Sequence, residues 1–139
     1  MLIHNKLPVK ERLHRIGFDS DPYCNYCSLG SKRIICDLEH YFCTCVNVED
    51  AWNGVRDILK DLIKVNVSDK DLLFLRYPKS SFDHEALWLL GVYVNYVWGT
   101  LHTRGEGKVD RDKFFGFLKF KYRSEKFGAR MPLMIPFLQ

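Results

Sequence analysis

Hydrophobic residues recur at intervals of three or four along most of this chain, the spacing that places side chains on one face of a helix. The clearest such run begins near Asn47, whose side chain is expected to cap the helix. Charged residues separate its apolar positions, which are Val48, Trp52, Val55, Leu59 and Leu62. The pattern predicts an amphipathic helix of about two to four turns.

A shorter helix is predicted near the start of the chain. Pro8 suits a first helical turn, and Gly17 suits the position where a helix ends. Glu11 and Arg15 have the i, i+4 spacing at which an acidic and a basic side chain form an ion pair on one face. The apolar positions of this helix are Val9, Leu13 and Ile16.

The longest apolar stretch runs from Ala86 to Leu101 and contains no charged residue. A membrane-spanning helix needs about 20 apolar residues. This stretch is shorter, and it is interrupted by Gly91, Asn95 and Gly99. We therefore predict a buried central helix and no membrane partner.

Two further helices are predicted from their capping residues. Ser68 followed by Asp71 is a variant of the capping box and indicates a short helix. Asp110 is expected to cap a last helix that runs to about Phe127 and ends at Gly128. The chain is therefore predicted to be mostly helical.

Four residues have the spacing of a metal site, Cys-x2-Cys-x12-His-x4-Cys, and they are Cys24, Cys27, His40 and Cys45. The short gap in the first pair lets a tight turn aim both sulfurs at one point. Three thiolates and an imidazole suit zinc, whereas magnesium and calcium prefer oxygen ligands. Four protein ligands leave no open position for a catalytic water, so the array predicts one structural Zn²⁺.

The spacing leaves alternatives open. The cysteines could be buried apolar residues or a disulfide framework. The segment Met1–Phe18 carries basic residues without an apolar run, so we expect no signal peptide and an intracellular protein, cytoplasmic or nuclear, whose thiols stay reduced. Cys43 could replace Cys45 as the fourth ligand, and Cys36 is left over in either set.

Composition and charge indicate one domain with an anionic partner. The chain has 139 residues, 47% of them hydrophobic, and a formal net charge of +4. Residues 101–130 hold nine Lys or Arg against four Asp or Glu, whereas residues 34–75 hold four against eight. This asymmetry favours an anionic partner on one face only. The candidate phosphate contacts are Lys10, Arg12 and Arg15 near the cysteines, and Lys119, Arg123 and Lys126 on one face of the last helix, opposite Phe114, Phe117 and Leu118.

Several motifs together resemble a known family. They are LPVKERLHRIG at 7–17, PYCNYC at 22–27, LEHYF at 38–42, then Cys45 and a helix that carries Trp52. In this order they resemble the zinc-binding domain that follows the polymerase in non-LTR retrotransposon reverse transcriptases. The resemblance is specific over residues 7–52 and looser through the rest of the chain.

The resemblance implies that Cys45, and not Cys43, is the fourth ligand. It also implies a module that helps a polymerase domain of a longer parent protein to hold its RNA or its target DNA. No adjacent pair of aspartates of the kind that holds polymerase metal ions is present, so we expect a part of such a protein that is not an enzyme by itself.

Parts of the sequence suggest two other functions. The run Asp110 to Lys113 contains the Asp-x-Lys spacing of some metal-dependent nucleases, but helix capping explains it better. A zinc-stapled protein-docking module is the main alternative, with Tyr23, Tyr26 and the apolar segment Met131–Gln139 as exposed candidates.

The predicted architecture is one mostly α domain that spans residues 1–139. A small zinc-stapled element of the Cys3His type occupies residues 7–52 and packs on a helical region at 53–130. The apolar tail covers residues 131–139.

Overall fold

The structure is a computed structural model, and it describes residues 7–28, 31–78, 83–105 and 107–124. Most of these residues are helical. The α-helices are α1 (Lys10–Arg15), α2 (Glu49–Ile63), α3 (Asp69–Leu73), α4 (Asp83–Trp98) and α5 (Arg111–Ser124). Two π-helical turns complete the order: the first π-turn is His40–Thr44, and the second π-turn, Gly99–Thr103, continues α4.

The core lies where α2 packs against α4. Trp52 of α2 and Tyr93 of α4 are completely buried, and their ring centroids lie 5.4 Å apart. Phe114 of α5 meets the Tyr93 ring edge-on at 5.5 Å. Three helices therefore share one aromatic centre, and the burial of these large side chains is a main source of stability.

The two long helices predicted from the sequence are confirmed. All five apolar positions of the amphipathic pattern in α2 are buried, and they are Val48, Trp52, Val55, Leu59 and Leu62. The uncharged stretch forms α4 and packs against both α2 and α5. None of the helices within the described ranges is long and apolar enough to cross a membrane.

Two of the three predicted caps are confirmed, and one is wrong. The Ser68 hydroxyl accepts the backbone N–H of Asp71 at 3.1 Å. The Asp110 carboxylate likewise accepts the backbone N–H of Lys113 at 3.0 Å. Asn47 does not cap α2, because the helix begins one residue later with Val48 at the N-cap position. The carbonyl of Asn47 instead accepts the N–H of Val109, which joins the start of α2 to the segment before α5.

The first helix is shorter than its apolar pattern predicts. Gly17 has a φ of +89°, a left-handed conformation that suits glycine, and it follows the helix end as predicted. The Glu11–Arg15 ion pair is present at 3.1 Å. Ile16 was expected on the apolar face, but it is 51% exposed. Because α1 ends at Arg15, Ile16 lies in the C-cap position and turns away from the core.

The last helix is described as far as Ser124. Phe114 and Leu118 are buried as predicted, whereas Phe117 is 36% exposed, so the buried face is narrower than expected. The predicted helix end at Phe127 and Gly128, and the tail 131–139, lie outside the described residues.

The predicted fold class is confirmed. The protein is mostly α, and the first π-turn, which carries the histidine of the cysteine-histidine array, packs directly on α2. The described residues contain no strand, only an isolated antiparallel bridge between Tyr23 and Ile35. The small cysteine-bearing element is therefore attached to the helical body through the start of α2.

Candidate metal centre

The first two cysteines lie in a tight turn beside the Tyr23–Ile35 bridge. The backbone N–H of Cys24 donates to Ile34 and that of Cys36 donates to Pro22, each at 2.8 Å. A further bond from the N–H of Ser28 to the carbonyl of Cys24, at 3.1 Å, closes the turn that contains Cys27. These bonds define the backbone conformation that carries both thiols. We call this segment, residues 22–36, the knuckle.

The other two residues of the array come from the first π-turn. In an α-helix, residues five apart differ by about 140° around the axis and cannot point to one ion. Here the backbone N–H of Cys45 donates to the carbonyl of His40 at 2.8 Å, the i to i+5 bond of a π-helix. The wider turn brings Cys45 back beneath His40, which explains the four-residue gap between them.

The π-turn is held from both sides. The Asp37 carboxylate accepts the backbone N–H of His40 at 2.8 Å, in the manner of an N-cap. The Tyr93 hydroxyl of α4 donates to the carbonyl of Phe42 at 2.6 Å in the buried core. The ligand-bearing backbone is thus attached to the central helix of the fold.

The structure brings the four predicted ligands together. The donor atoms of Cys24, Cys27, His40 and Cys45 all lie within 4.8 Å of one another. The sulfur of Cys45 lies 3.8 Å from that of Cys24 and 3.8 Å from that of Cys27. A disulfide would need about 2.05 Å, and all five cysteines of the chain are unpaired. The disulfide alternative is therefore wrong, and the cluster can hold a metal ion.

The His40 ring is oriented toward the cluster. Its Nδ1 lies 2.9 Å from the Thr44 hydroxyl oxygen. Its Nε2 is buried and has no hydrogen-bond partner among the described residues. A buried polar atom without a partner is costly, and metal-binding histidines characteristically bond a protein group through the second ring nitrogen. We therefore assign Nε2 as the donor atom and place the ring proton on Nδ1.

The electrostatics of the centre also call for a cation. Burial lowers the pKa of His40, which keeps the imidazole neutral and able to donate a lone pair. Burial raises the pKa of the Cys45 thiol, and the neighbouring Cys24 and Cys27 raise it further. Such thiols ionise readily only beside a positive charge, which a bound metal ion supplies.

The remaining cysteines lie outside the cluster. Cys43 is buried, and burial together with the charges of Asp69 and Glu39 raises the pKa of its thiol. It is not among the four clustered donors. Cys36 is buried beside Cys24, and burial together with that neighbour raises its pKa to about 12.

Several predicted phosphate contacts have acidic neighbours. The Lys10 ammonium lies 3.5 Å from both Asp19 and Asp21, and Arg15 pairs with Glu11. Arg12 is half-buried on the same helix. On α5, Lys119 is half-buried and Arg123 is exposed. Lys126 lies outside the described residues.

Three residues that support the site were not predicted. Asp37 lies three positions before His40, the spacing of an N-cap, and that signal could have been read from the sequence. Thr44 is recognisable only once the π-turn is known. The Tyr93 hydroxyl bonds the carbonyl of Phe42, which lies 51 positions earlier in the sequence, and no local pattern indicates that contact.

Compared with models of protein families, with curated proteins and with solved structures, the chain matches none. The metal centre is defined by its four protein donors. Three sulfurs and one nitrogen lie close enough together to hold one metal ion.

Proposed function

We propose that the ion is zinc and that its role is structural. The sulfur spacing carries this assignment. With zinc–sulfur bonds of about 2.3 Å, the edge of a tetrahedron is about 3.8 Å. The observed distances from Cys45 to Cys24 and Cys27 are 3.8 Å each. Soft thiolate donors also disfavour magnesium and calcium.

We further propose that the zinc centre staples a nucleic-acid-binding module. The proposal extends the resemblance to the domain that follows the polymerase in non-LTR retrotransposon reverse transcriptases. In that role the chain is not an enzyme by itself, and it acts inside the cell beside a polymerase domain of a longer parent protein. Its partner is RNA or target DNA.

Exposed positive charge on the C-terminal part of the described chain supports this function. The exposed basic residues there are Arg104, Lys108, Arg111, Lys113 and Arg123. One of them, Arg111, lies 3.7 Å from Asp50 of α2, and the others extend from the second π-turn along α5. A basic surface of this kind supplies sequence-independent attraction to phosphates.

Protein docking is the second candidate function. Phe117 and Phe120 are exposed on one side of α5, and Phe120 is 66% exposed. Adjacent exposed aromatic rings are typical of surfaces that bind another protein. On this alternative, the zinc centre supports a scaffold that docks onto a neighbouring domain.

The salt dependence of RNA binding separates the two functions. Each Lys or Arg that neutralises a phosphate of a single strand contributes about 0.7 to the slope of log affinity against log salt concentration. We expect the Lys119→Gln, Arg123→Gln, Lys126→Gln triple variant to lower that slope by about two. We expect the same decrease in slope for the triple variant Lys10→Gln, Arg12→Gln, Arg15→Gln if that cluster also contacts phosphates.

A matched control has the same change in net charge at another place. The control is the triple variant Lys60→Gln, Lys64→Gln, Lys70→Gln, whose substitutions lie in the acidic middle of the chain. Its slope of log affinity against log salt concentration should equal that of the wild type. Binding of a labelled single-stranded RNA is measured by anisotropy at several salt concentrations. A wild-type protein that fails to bind at low salt would exclude the nucleic-acid function and favour docking.

A further inference from the structure

Four aromatic side chains lie in the knuckle, the first π-turn, the end of α4 and the second π-turn. They are Tyr26, Tyr41, Trp98 and His102, and we call them the aromatic strip. Tyr26 lies between the ligands Cys24 and Cys27 and is 60% exposed. His102 is also exposed, and Tyr41 and Trp98 are half-buried between them. The strip is therefore accessible at both ends.

Ring contacts connect these side chains. Tyr41 and Trp98 have centroids 5.4 Å apart, and the His102 ring stacks on Trp98 at 4.2 Å with an interplanar angle of 21°. Tyr26 precedes Cys27 and Tyr41 follows His40 in the sequence, and the donor atoms of Cys27 and His40 lie within 4.8 Å of each other. Tyr26 and Tyr41 therefore flank the same four-residue cluster, and ring contacts continue from Tyr41 through Trp98 to His102.

The backbone at each end of the strip is fixed. Tyr26 sits in the turn that a bound metal ion would close through both neighbouring cysteines. His102 sits in the second π-turn, where the N–H of Arg104 donates to the carbonyl of Gly99 at 2.9 Å. Rings held on fixed backbone lose little conformational entropy on binding, which favours stacking with a ligand.

Positive charge lies beside both ends. At the knuckle, Lys32 and Arg33 are exposed, and the Arg33 guanidinium lies 5.9 Å from the Tyr23 ring. At the other end, Arg104 is exposed and is held by a bond of 2.9 Å to the Thr100 hydroxyl. Lys108 follows on the exposed surface. Aromatic rings flanked by basic side chains match the alternating bases and phosphates of a single strand.

We propose that the aromatic strip is the binding site for single-stranded nucleic acid, with bases stacked on Tyr26 and His102 and phosphates held by Lys32, Arg33 and Arg104. This inference rests on the proposed nucleic-acid function and adds a base-stacking surface to the two basic clusters expected from the sequence. Stacking tolerates any base, so the site binds single strands with little sequence preference.

The test uses the zinc-loaded full chain and two fluorescein-labelled probes, a 12-nucleotide oligouridylate and a hairpin duplex of the same length. Tyr26→Ala and His102→Ala should each weaken binding of the single strand about tenfold, since one stacked base contributes about 1.4 kcal/mol in this range. Tyr26→Phe keeps the ring and should bind as the wild type does. The matched control is Phe120→Ala, which removes an exposed ring outside the strip.

Tryptophan fluorescence gives an independent readout. Stacking of a base near Trp98 should quench the emission, and the quenching should persist in Trp88→Phe but disappear in Trp98→Phe. Trp52 is completely buried and should not respond.

The outcomes separate the site from the function. If the wild type binds the single strand and both strip variants bind it with an affinity within twofold of the wild type, the aromatic strip is not the binding site. The proposed nucleic-acid function would then still stand. Equal affinity for the duplex would likewise contradict stacking. If the wild type binds neither probe at low salt, the nucleic-acid function fails together with this site.

Discussion

His40 is oriented by two hydrogen bonds that belong to residues outside the ligand set. Asp37 accepts its backbone N–H, and Thr44 lies 2.9 Å from its Nδ1. The other ring nitrogen, Nε2, is buried and has no hydrogen-bond partner among the described residues. The precision of the metal centre therefore depends on side chains that a ligand motif does not include.

Replacement of Thr44 by valine tests this dependence. Thr44→Val keeps the shape of the side chain but removes the oxygen beside Nδ1, so the ring loses the bond that orients it. We expect zinc affinity to fall at least about tenfold, the usual effect of removing such a partner. Competition with a chromophoric chelator measures the change.

The control for this substitution is Thr103→Val. Thr103 is also exposed, and it occupies the same last position in the second π-turn as Thr44 does in the first. It therefore reports any effect of valine on a π-turn itself. An equal loss of zinc affinity in both variants would show that the Thr44 hydroxyl does not orient His40.

At the scale of elements, the packing of α2 against α5 depends on one glycine. An added Cβ at Gly54 would lie 2.8 Å from Cε2 of Phe115 and 3.3 Å from Nε of Arg111. The first distance is shorter than carbon atoms tolerate without movement. Phe115 is half-buried and stands edge-on to Phe114 at 5.4 Å, so its ring would have to shift away from this packed position.

We expect Gly54→Ala to destabilise the protein by about 1–3 kcal/mol, the usual cost of overpacking, although alanine is the better helix former. Gly116→Ala is the matched control, because Gly116 lies inside α5 with open space around it. That change should stabilise by about 0.5–1 kcal/mol. Urea unfolding measures the free energy of unfolding of both variants. An increase in that free energy for Gly54→Ala would contradict the close contact between Gly54 and Phe115.

The elements differ in how far the sequence determines them. The helix with Val48, Trp52 and Val55 was predictable because one face is apolar and the other is charged, and the caps at Ser68 and Asp110 were predictable because they are local. The two π-turns were not predictable. Each covers only five residues, which is too short for its i to i+5 hydrogen bonds to give a periodic pattern of apolar residues. The cap expected at Asn47 was wrong because Val48 occupies the N-cap position of α2, while the backbone carbonyl of Asn47 accepts the N–H of Val109.

The same distinction holds for the candidate site. The clustering of Cys24, Cys27 and His40 was predictable from residue type and spacing, whereas the choice of Cys45 over Cys43 depended on the resemblance. The contact from Tyr93 to Phe42 and the ring contacts from Tyr41 to Trp98 and His102 were not, since they join segments that only the packing of α4 brings together.

At the scale of the whole molecule, hydrogen bonds among the described residues help to attach the knuckle and the first π-turn to the helices. The Tyr93 hydroxyl bonds the π-turn to α4, and the backbone N–H of Glu11 in α1 bonds the carbonyl of Cys36 at 3.0 Å. The knuckle itself contributes few large buried side chains. Metal binding is therefore expected to supply much of the free energy that folds residues 20–50.

The most direct test is the metal content of the reduced, purified protein by native mass spectrometry, with circular dichroism before and after a strong chelator. We expect one zinc ion per chain, and loss of helical signal and of protease resistance in residues 20–50 when it is removed. Cys45→Ser should abolish stoichiometric binding, whereas Cys43→Ser, which changes a buried thiol outside the cluster, should retain it. A zinc content near zero in the reduced wild type, or a fold unchanged by the chelator, would contradict the account.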